Sequence, residues 1–309
     1  MLKLKAEAKA KLQHPIDHKF NRASLAMLEP SPKQDSESVS LPAEPSGAEP
    51  LTLEQAIANL THPDLSLRYY AAWWLGKFAT GEPRVVDALI AALDDEADRT
   101  ELGGYPLRRN AARALGKLAD HRAVPPLVRC LDCSDFYVRE AAAQSLGMLG
   151  DLTCIPRLMQ LLEGGVEAVQ LVPGRPYLAQ PAEAAMEALE ALRAAEAVPL
   201  IQPFLKHPVE RVKHAAARAM YVLTQEAVYG ESLVQAIAHS DLKLRRTILL
   251  DLGNSGYLPG AKAIAQAAVE NSFKMIALKS LLESHLKQLK TVSLSPEAQQ
   301  VMALMDELL

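Results

Sequence analysis

The sequence predicts an all-α solenoid of stacked helix pairs, and three observations carry that prediction. The composition is rich in Ala and Leu and only 5% aromatic, which suits close-packed helices better than strands, where β-branched and aromatic residues are favoured. A set of residues recurs at fixed offsets along the chain. The copies are about 30–43 residues apart, the interval at which one helix pair forms a repeating unit.

The repeat is read from Arg68. Asp64 lies four before it, Ala71 and Ala72 three and four after, and Leu75 and Gly76 seven and eight after. Arg139 carries the same set in Asp135, Ala142, Ala143, Leu146 and Gly147, and Arg245 in Asp241, Ile248, Leu249, Leu252 and Gly253. Arg108 is followed by Ala111, Ala112, Leu115 and Gly116, with Gly104 in place of the Asp. Weaker copies begin at Lys213 and Lys274, and a degenerate one near Ala182. Each offset has a physical role in the second helix of a HEAT-like pair. The Asp is an N-cap, and the Arg reaches that Asp or a neighbouring repeat's. The two Ala positions permit close helix approach, and Leu continues the buried stripe. The Gly is expected near the helix end, where a left-handed residue costs little. Leu60, Leu131 and Leu205 end the preceding helices, and Pro125, Pro156 and Pro199 sit in first turns that tolerate proline. The count is about seven pairs over residues 51–290, with Ser295–Leu309 as a capping helix.

The domain division follows from composition. Residues 1–50 end in SPKQDSESVSLPAEPSGAEP, a Ser-, Pro- and Glu-rich run expected to be a disordered extension. Residues 51–309 are expected to form the HEAT-like α-solenoid. The net charge of −4 and the lack of a long basic run argue against nucleic acid as a partner. No apolar run reaches the length of a membrane span, and the N-terminus lacks a secretory pattern. With only three cysteines, a disulfide scaffold is excluded and a reducing, cytoplasmic setting is expected. Cys130, Cys133 and Cys154 lack a fourth ligand for structural zinc, so no metal site is expected.

Two repeats carry insertions inside the helix pair, so both emerge on one rim. Leu93 to Arg108 spans 15 residues and Leu162 to Ala182 spans 20, where the usual gap is 8. Long loops at equivalent points mark a binding face. Offsets +1 and +5 of the second helices form a row beside the core positions, expected to look toward the concave surface. It reads Tyr69, Trp73 and Lys77, then Arg109, Arg113 and Lys117, then Glu140 and Gln144, with His214 and Arg218 further on. Aromatics beside arginines beside a carboxylate would suit a flat conjugated ligand with acidic groups. The same residues also fit a plainer account: end-cap packing for the aromatics of YYAAWWLGKF, solvated faces for the arginines, and a scaffold without chemistry. No phosphate-binding glycine motif, HExxH or nucleophile elbow is present.

Five strings go beyond a generic repeat: SLRYYAAWWLGKF (66–78), DRTELGGYPLRRNAARALGKL (98–118), CSDFYVREAAAQSLG (133–147), LVPGRPYLAQP (171–181) and LLDLGNSGYLP (249–259). Through them, roughly residues 51–285 resemble the E/F-type phycobilin lyases, in particular their E-type subunits. The resemblance implies an enzyme that works as a heterodimer with an F-type lyase subunit. Together the two would attach phycocyanobilin, reversibly, to a cysteine of the apo-phycocyanin alpha subunit through a thioether at the ring A ethylidene. The bilin is then substrate, and no tightly bound cofactor is implied. A bilin chaperone, a detaching protein or the family's isomerising phycoviolobilin lyase pair remain alternatives. With that ligand, Tyr69 and Trp73 would stack on the bilin, and Arg108, Arg109 and Arg113 would meet its propionates. Glu140 would be the proton donor, with Asp94, Asp95 and Glu101 as outside candidates. Tyr105 and Arg175, in the insertions, would touch the bilin or a protein partner.

Overall fold

The computed structural model describes residues 51–288 and 295–309; the disorder expected over 1–50 concerns residues outside that range. Among the described residues there are sixteen α-helices and no strand, with one isolated antiparallel bridge between Leu171 and Leu178. The first helices of the pairs are α1 (Leu53–Asn59), α3 (Pro83–Ala92), α5 (Val124–Cys130), α7 (Ile155–Gln160), α10 (Val198–Ile201), α12 (Ala227–His239) and α14 (Ala261–Gln266). Their partners are α2 (Leu65–Phe78), α4 (Pro106–Leu118), α6 (Phe136–Leu149), α9 (Ala182–Ala191), α11 (Glu210–Thr224), α13 (Leu242–Ser255) and α15 (Asn271–Gln288). A short α8 (Gly165–Ala168) lies in the second insertion, and α16 (Pro296–Asp306) packs on α14 and α15 as the expected cap. Each second helix packs on the next, from α2 through α15. That makes two layers, with seven pairs as the offsets predict.

The repeat offsets explain the packing. Leu75, Leu115, Leu146, Leu189 and Leu252, all at +7, are fully buried. Burying each contributes roughly 1.5–3 kcal/mol relative to exposure. Asp64, Asp135 and Asp241 cap α2, α6 and α13, accepting from the backbone N–H groups of Ser66, Tyr137 and Leu244 at 2.8–2.9 Å. The anchor arginines tie each turn to the next. Arg68 donates to the His62 carbonyl at 2.6 Å and pairs with Asp95 at 2.7 Å. Arg139 donates to the Cys133 and Ala179 carbonyls, and Arg245 to those of Ser240 and Ala268. The free carbonyls at first-helix ends thus find donors, mostly from Arg rather than through the Asp–Arg pairs expected.

The +8 glycines correct the sequence reading. Gly76, Gly116, Gly147 and Gly253 lie inside their helices, and the positive-φ glycines are others. A Cβ at Gly76 would stand 2.6 Å from the Ala114 Cβ, one at Gly116 2.5 Å from the Ser145 Oγ, and one at Gly147 2.8 Å from the Ala188 Cα. At Gly76, Gly116 and Gly147 the glycine is a notch that admits the +6 residue of the next second helix, and at Gly253 it admits the backbone of Ala277, so close approach rather than backbone freedom demands it.

Both insertions fold back on the helices. In the first, Asp98 is buried and accepts from the Leu107 N–H, which caps α4 in place of the missing Asp. In the second, Val172 N–H donates to the Tyr177 carbonyl and Ala179 N–H to that of Gln170, closing a small hairpin. His207 donates from Nε2 to the Val169 carbonyl at 2.9 Å while its Nδ1 accepts from the Val209 N–H. The buried apolar residues form two clusters, one running from Ala56 to Met220 and the other from Ala217 to Val301, which divide at α11. No described helix is long and apolar enough to cross a membrane.

Candidate functional site

The exposed face of the second-helix layer carries the predicted row over α2, α4 and α6. On α2, Tyr69 is 39% exposed and Trp73 half-buried. Tyr70 lies 5.5 Å from the Trp73 ring, and the Lys77 ammonium 4.9 Å from it. Trp74, also half-buried, packs on the core, and the exposed Phe78 ring lies beside both tryptophans. The aromatics therefore divide, with Tyr69 and Trp73 in the row and Trp74 bordering the core.

On α4, Arg109, Arg113 and Lys117 follow one another, all half-buried. Burial and the Arg109 charge push Arg113 below its ordinary value, against the pull of Glu140. Burial, Arg113 and Lys77 do the same to Lys117. This crowd of desolvated cations is a site that an anion would relieve. Arg109 also has a buried Nε without a hydrogen-bond partner and lies 5.6 Å from the Tyr137 ring centroid.

On α6, Glu140 is half-buried, and burial raises it above the usual carboxylate range. Glu183 adds to the rise, while Arg113, Arg211 and Arg109 oppose it. A carboxyl group raised by burial in this way has the character of a general acid. Glu183 extends the row on α9 and pairs with Arg211 of α11 at 2.8 Å.

The other two expected ligand contacts, Arg108 and Tyr105, lie at the first insertion. Arg108 donates from Nε to the Asp95 carbonyl at 2.6 Å, pairs with Glu96 and covers the Tyr105 ring at 4.2 Å. Tyr105 is buried, its N–H donating to Asp135 at 2.8 Å and its hydroxyl to Glu96 at 3.3 Å. The structure thus places both in the base of the first insertion, apart from Arg109 and Arg113. Asp95 is engaged by Arg68, whereas Asp94, Glu101 and Arg175 are exposed. His214 and Arg218 are corrected outright. Both were expected on the open row and both are buried, Arg218 completely, between Glu190 and Asp251 at 2.9 Å each.

Sequence reading missed Tyr137 and Tyr177. Tyr177, from the second insertion, stacks on Phe136 at 4.9 Å and 10° and meets Tyr137 edge-on at 5.6 Å. The signal lay in the Phe136–Tyr137 pair opening a helix next to a Tyr-bearing insertion, but both fall outside the repeat offsets. A depression of about 450 Å³ lined by Cys133, Arg139, Arg157 and Gln180 touches none of the row residues. Burial pushes the Cys130 and Cys154 thiols up to about 12 and about 11, so they stay protonated and inert.

A two-layer stack of helix pairs whose second helices carry aromatics, desolvated arginines and a half-buried glutamate side by side defines a helical-repeat protein of the HEAT class. The repeats match the family models of the PBS lyase HEAT-like repeat over residues 67–95 and 181–207 and of HEAT repeats over 104–170. The chain is 62% identical over 284 residues to the phycocyanobilin lyase subunit alpha of Nostoc sp. (strain PCC 7120), covering 92% of this chain and 100% of that protein. To the protein of that name from Thermosynechococcus vestitus it is 64% identical over 244 residues, 77% of this chain and 88% of the relative. A solved structure, the complex of CpcE and CpcF of phycocyanin lyase from Nostoc sp. PCC7120, contains a chain that matches with a TM-score of 0.77 at 63% identity, over 88% of this chain and 100% of that one. The chain belongs to the phycocyanobilin lyase alpha-subunit family.

Proposed function

We propose that this protein is one subunit of a heterodimeric bilin lyase. With an F-type partner in the cytoplasm, it attaches phycocyanobilin to a cysteine of the phycocyanin alpha subunit. The observation that carries this is the row Tyr69, Trp73, Arg109, Arg113 and Glu140, present on a chain that matches a phycocyanobilin lyase subunit over that subunit's whole length.

The reaction adds a thiol across a double bond, so atoms balance without an external oxidant or reductant. The acceptor thiolate forms the C–S bond at the ring A ethylidene carbon, the π electrons move into the conjugated system, and the proton returns to carbon. The reverse elimination passes through the same states. Phycocyanobilin enters as substrate. Tyr69 and Trp73 stack on its rings, and Arg109 and Arg113 meet its propionates through charge-assisted hydrogen bonds. Glu140 lends its proton to the pyrrole system, which makes the ethylidene carbon more electrophilic. Much of the gain is positioning, because a held tetrapyrrole presents one carbon to one thiolate.

The test is co-production with the F-type partner, a bilin source and apo-phycocyanin alpha, with zinc-enhanced fluorescence read on a denaturing gel. A fluorescent alpha band that requires this chain is the expected result, and its absorption maximum separates phycocyanobilin from phycoviolobilin. Absence of the band with every component folded would overturn the lyase reading in favour of a chaperone or scaffold.

A further inference from the structure

The second insertion reaches the row. Its hairpin is pinned on one leg by the Arg139 Nη2 donating to the Ala179 carbonyl at 2.8 Å, and on the other by His207 at the Val169 carbonyl. The hairpin is therefore fixed to α6 and to the entry of α11. From it, Tyr177 lies flat on Phe136 and edge-on to Tyr137. Tyr137 is half-buried, carries the Arg109 guanidinium over its ring, and stands one helical turn from Glu140 on α6. A continuous chain of contacts thus leads from the hairpin through Tyr177 and Tyr137 to Arg109. Without Tyr177, the Tyr137 ring loses its edge contact and Arg109 loses a fixed face.

We infer that Tyr177 is a positioning residue for the lyase reaction, acting through Tyr137 to hold Arg109 in the row beside Glu140. This rests on the function proposed above. An open-chain tetrapyrrole coils when unconstrained and absorbs more in the near-ultraviolet. Held extended, it absorbs more in the visible. A displaced Tyr137 ring lets the bilin relax toward the coiled form without releasing its charged groups. A misplacement of about 1 Å is enough to slow a reaction up to about 100-fold, so rate falls while binding is largely kept.

The experiment compares Tyr177→Ala, Tyr177→Phe and Tyr177→Leu in the complete heterodimer, with Arg109→Ala alongside. The readouts are phycocyanobilin affinity, the visible to near-ultraviolet ratio of bound pigment, and the transfer rate to apo-phycocyanin alpha. Tyr177→Ala and Tyr177→Leu are expected to slow transfer about tenfold, lower the ratio and change affinity less than about twofold. Tyr177→Phe, which keeps the ring, is expected to restore both rate and ratio. If Tyr177→Leu transfers at the wild-type rate with an unchanged ratio, or if Phe fails as badly as Leu, the positioning role is overturned. If Arg109→Ala also binds and transfers normally, the proposed site itself falls.

Discussion

Offsets +1 and +5 of the second helix meet opposite fates in the two halves of the molecule. On α4 they are Arg109 and Arg113, half-buried on an open face; on α11 they are His214 and Arg218, sealed inside. The cause lies in the neighbouring helices. In α2, α4 and α6 the +8 residue is the glycine that admits a small +6 residue of the next helix. In α9 that +8 position is Glu190, and in α13 the +6 position is Asp251. On either side of α11 the small-residue notch is thus replaced by a carboxylate, and Arg218 bridges the two at 2.9 Å each. One repeat pattern therefore yields half-buried cations on an open face where the notches are kept and a structural cation where they are not.

The comparison is broken most severely at Arg218. Arg218→Ala leaves two buried carboxylates without their counter-charge and is expected to cost about 3–5 kcal/mol, read as a lowered urea midpoint. Gly116→Ala attacks the other kind of junction. Its Cβ would fall 2.9 Å from the Ser145 Cα, and overpacking of this sort costs about 1–3 kcal/mol. At Arg109 the effect moves from stability to binding. Losing one charge-assisted contact to a propionate is expected to cost about 1.5–3 kcal/mol of affinity, while the unfolding free energy changes by less than about 0.5 kcal/mol. A comparable affinity loss in Arg218→Lys with stability intact would erase the proposed division.

The smallest effect is the pH dependence set by Glu140. Burial raises its proton affinity in the folded chain. Its stabilising contribution is therefore complete below the ordinary carboxylate range and is lost as pH rises through the raised folded value. Glu140→Gln is expected to remove this part of the pH dependence from urea midpoints measured between pH 4 and 8 on either side of that range. The same substitution should flatten the alkaline decline of the transfer rate, because in the proposed role the wild-type group carries a proton.

The periodic part of the fold was legible in the sequence because each repeat solves the same packing problem with the same residues. Leu75, Leu115, Leu146 and Leu252 are buried as their spacing requires, and Asp64, Asp135 and Asp241 cap as expected. The glycines were misread because a Gly near a helix end resembles a C-cap until the next helix is seen beside it. Arg109, Arg113 and Glu140 do share one face, since period alone places them there. Arg108 and Tyr105 do not join it, because an insertion folds back in a way no offset encodes. Arg218 was misplaced for a third reason: its burial is decided by Glu190 and Asp251, 28 and 33 residues away. Tyr177 depends on the path of a hairpin that has no counterpart in the other repeats.

The division of the apolar core at α11 has a consequence for how the chain comes apart. In a linear array each unit is stabilised by its immediate neighbours, so opening begins where neighbours share the least apolar contact. At α11 the two apolar clusters meet across an ionic bridge. Native-state amide exchange should then resolve two cooperative blocks with different protection, one ending and the other starting in that helix. Tyr69, Trp73, Arg109, Arg113 and Glu140 all stand on helices of the first block, so opening of the C-terminal helices is expected to leave the face that carries them intact.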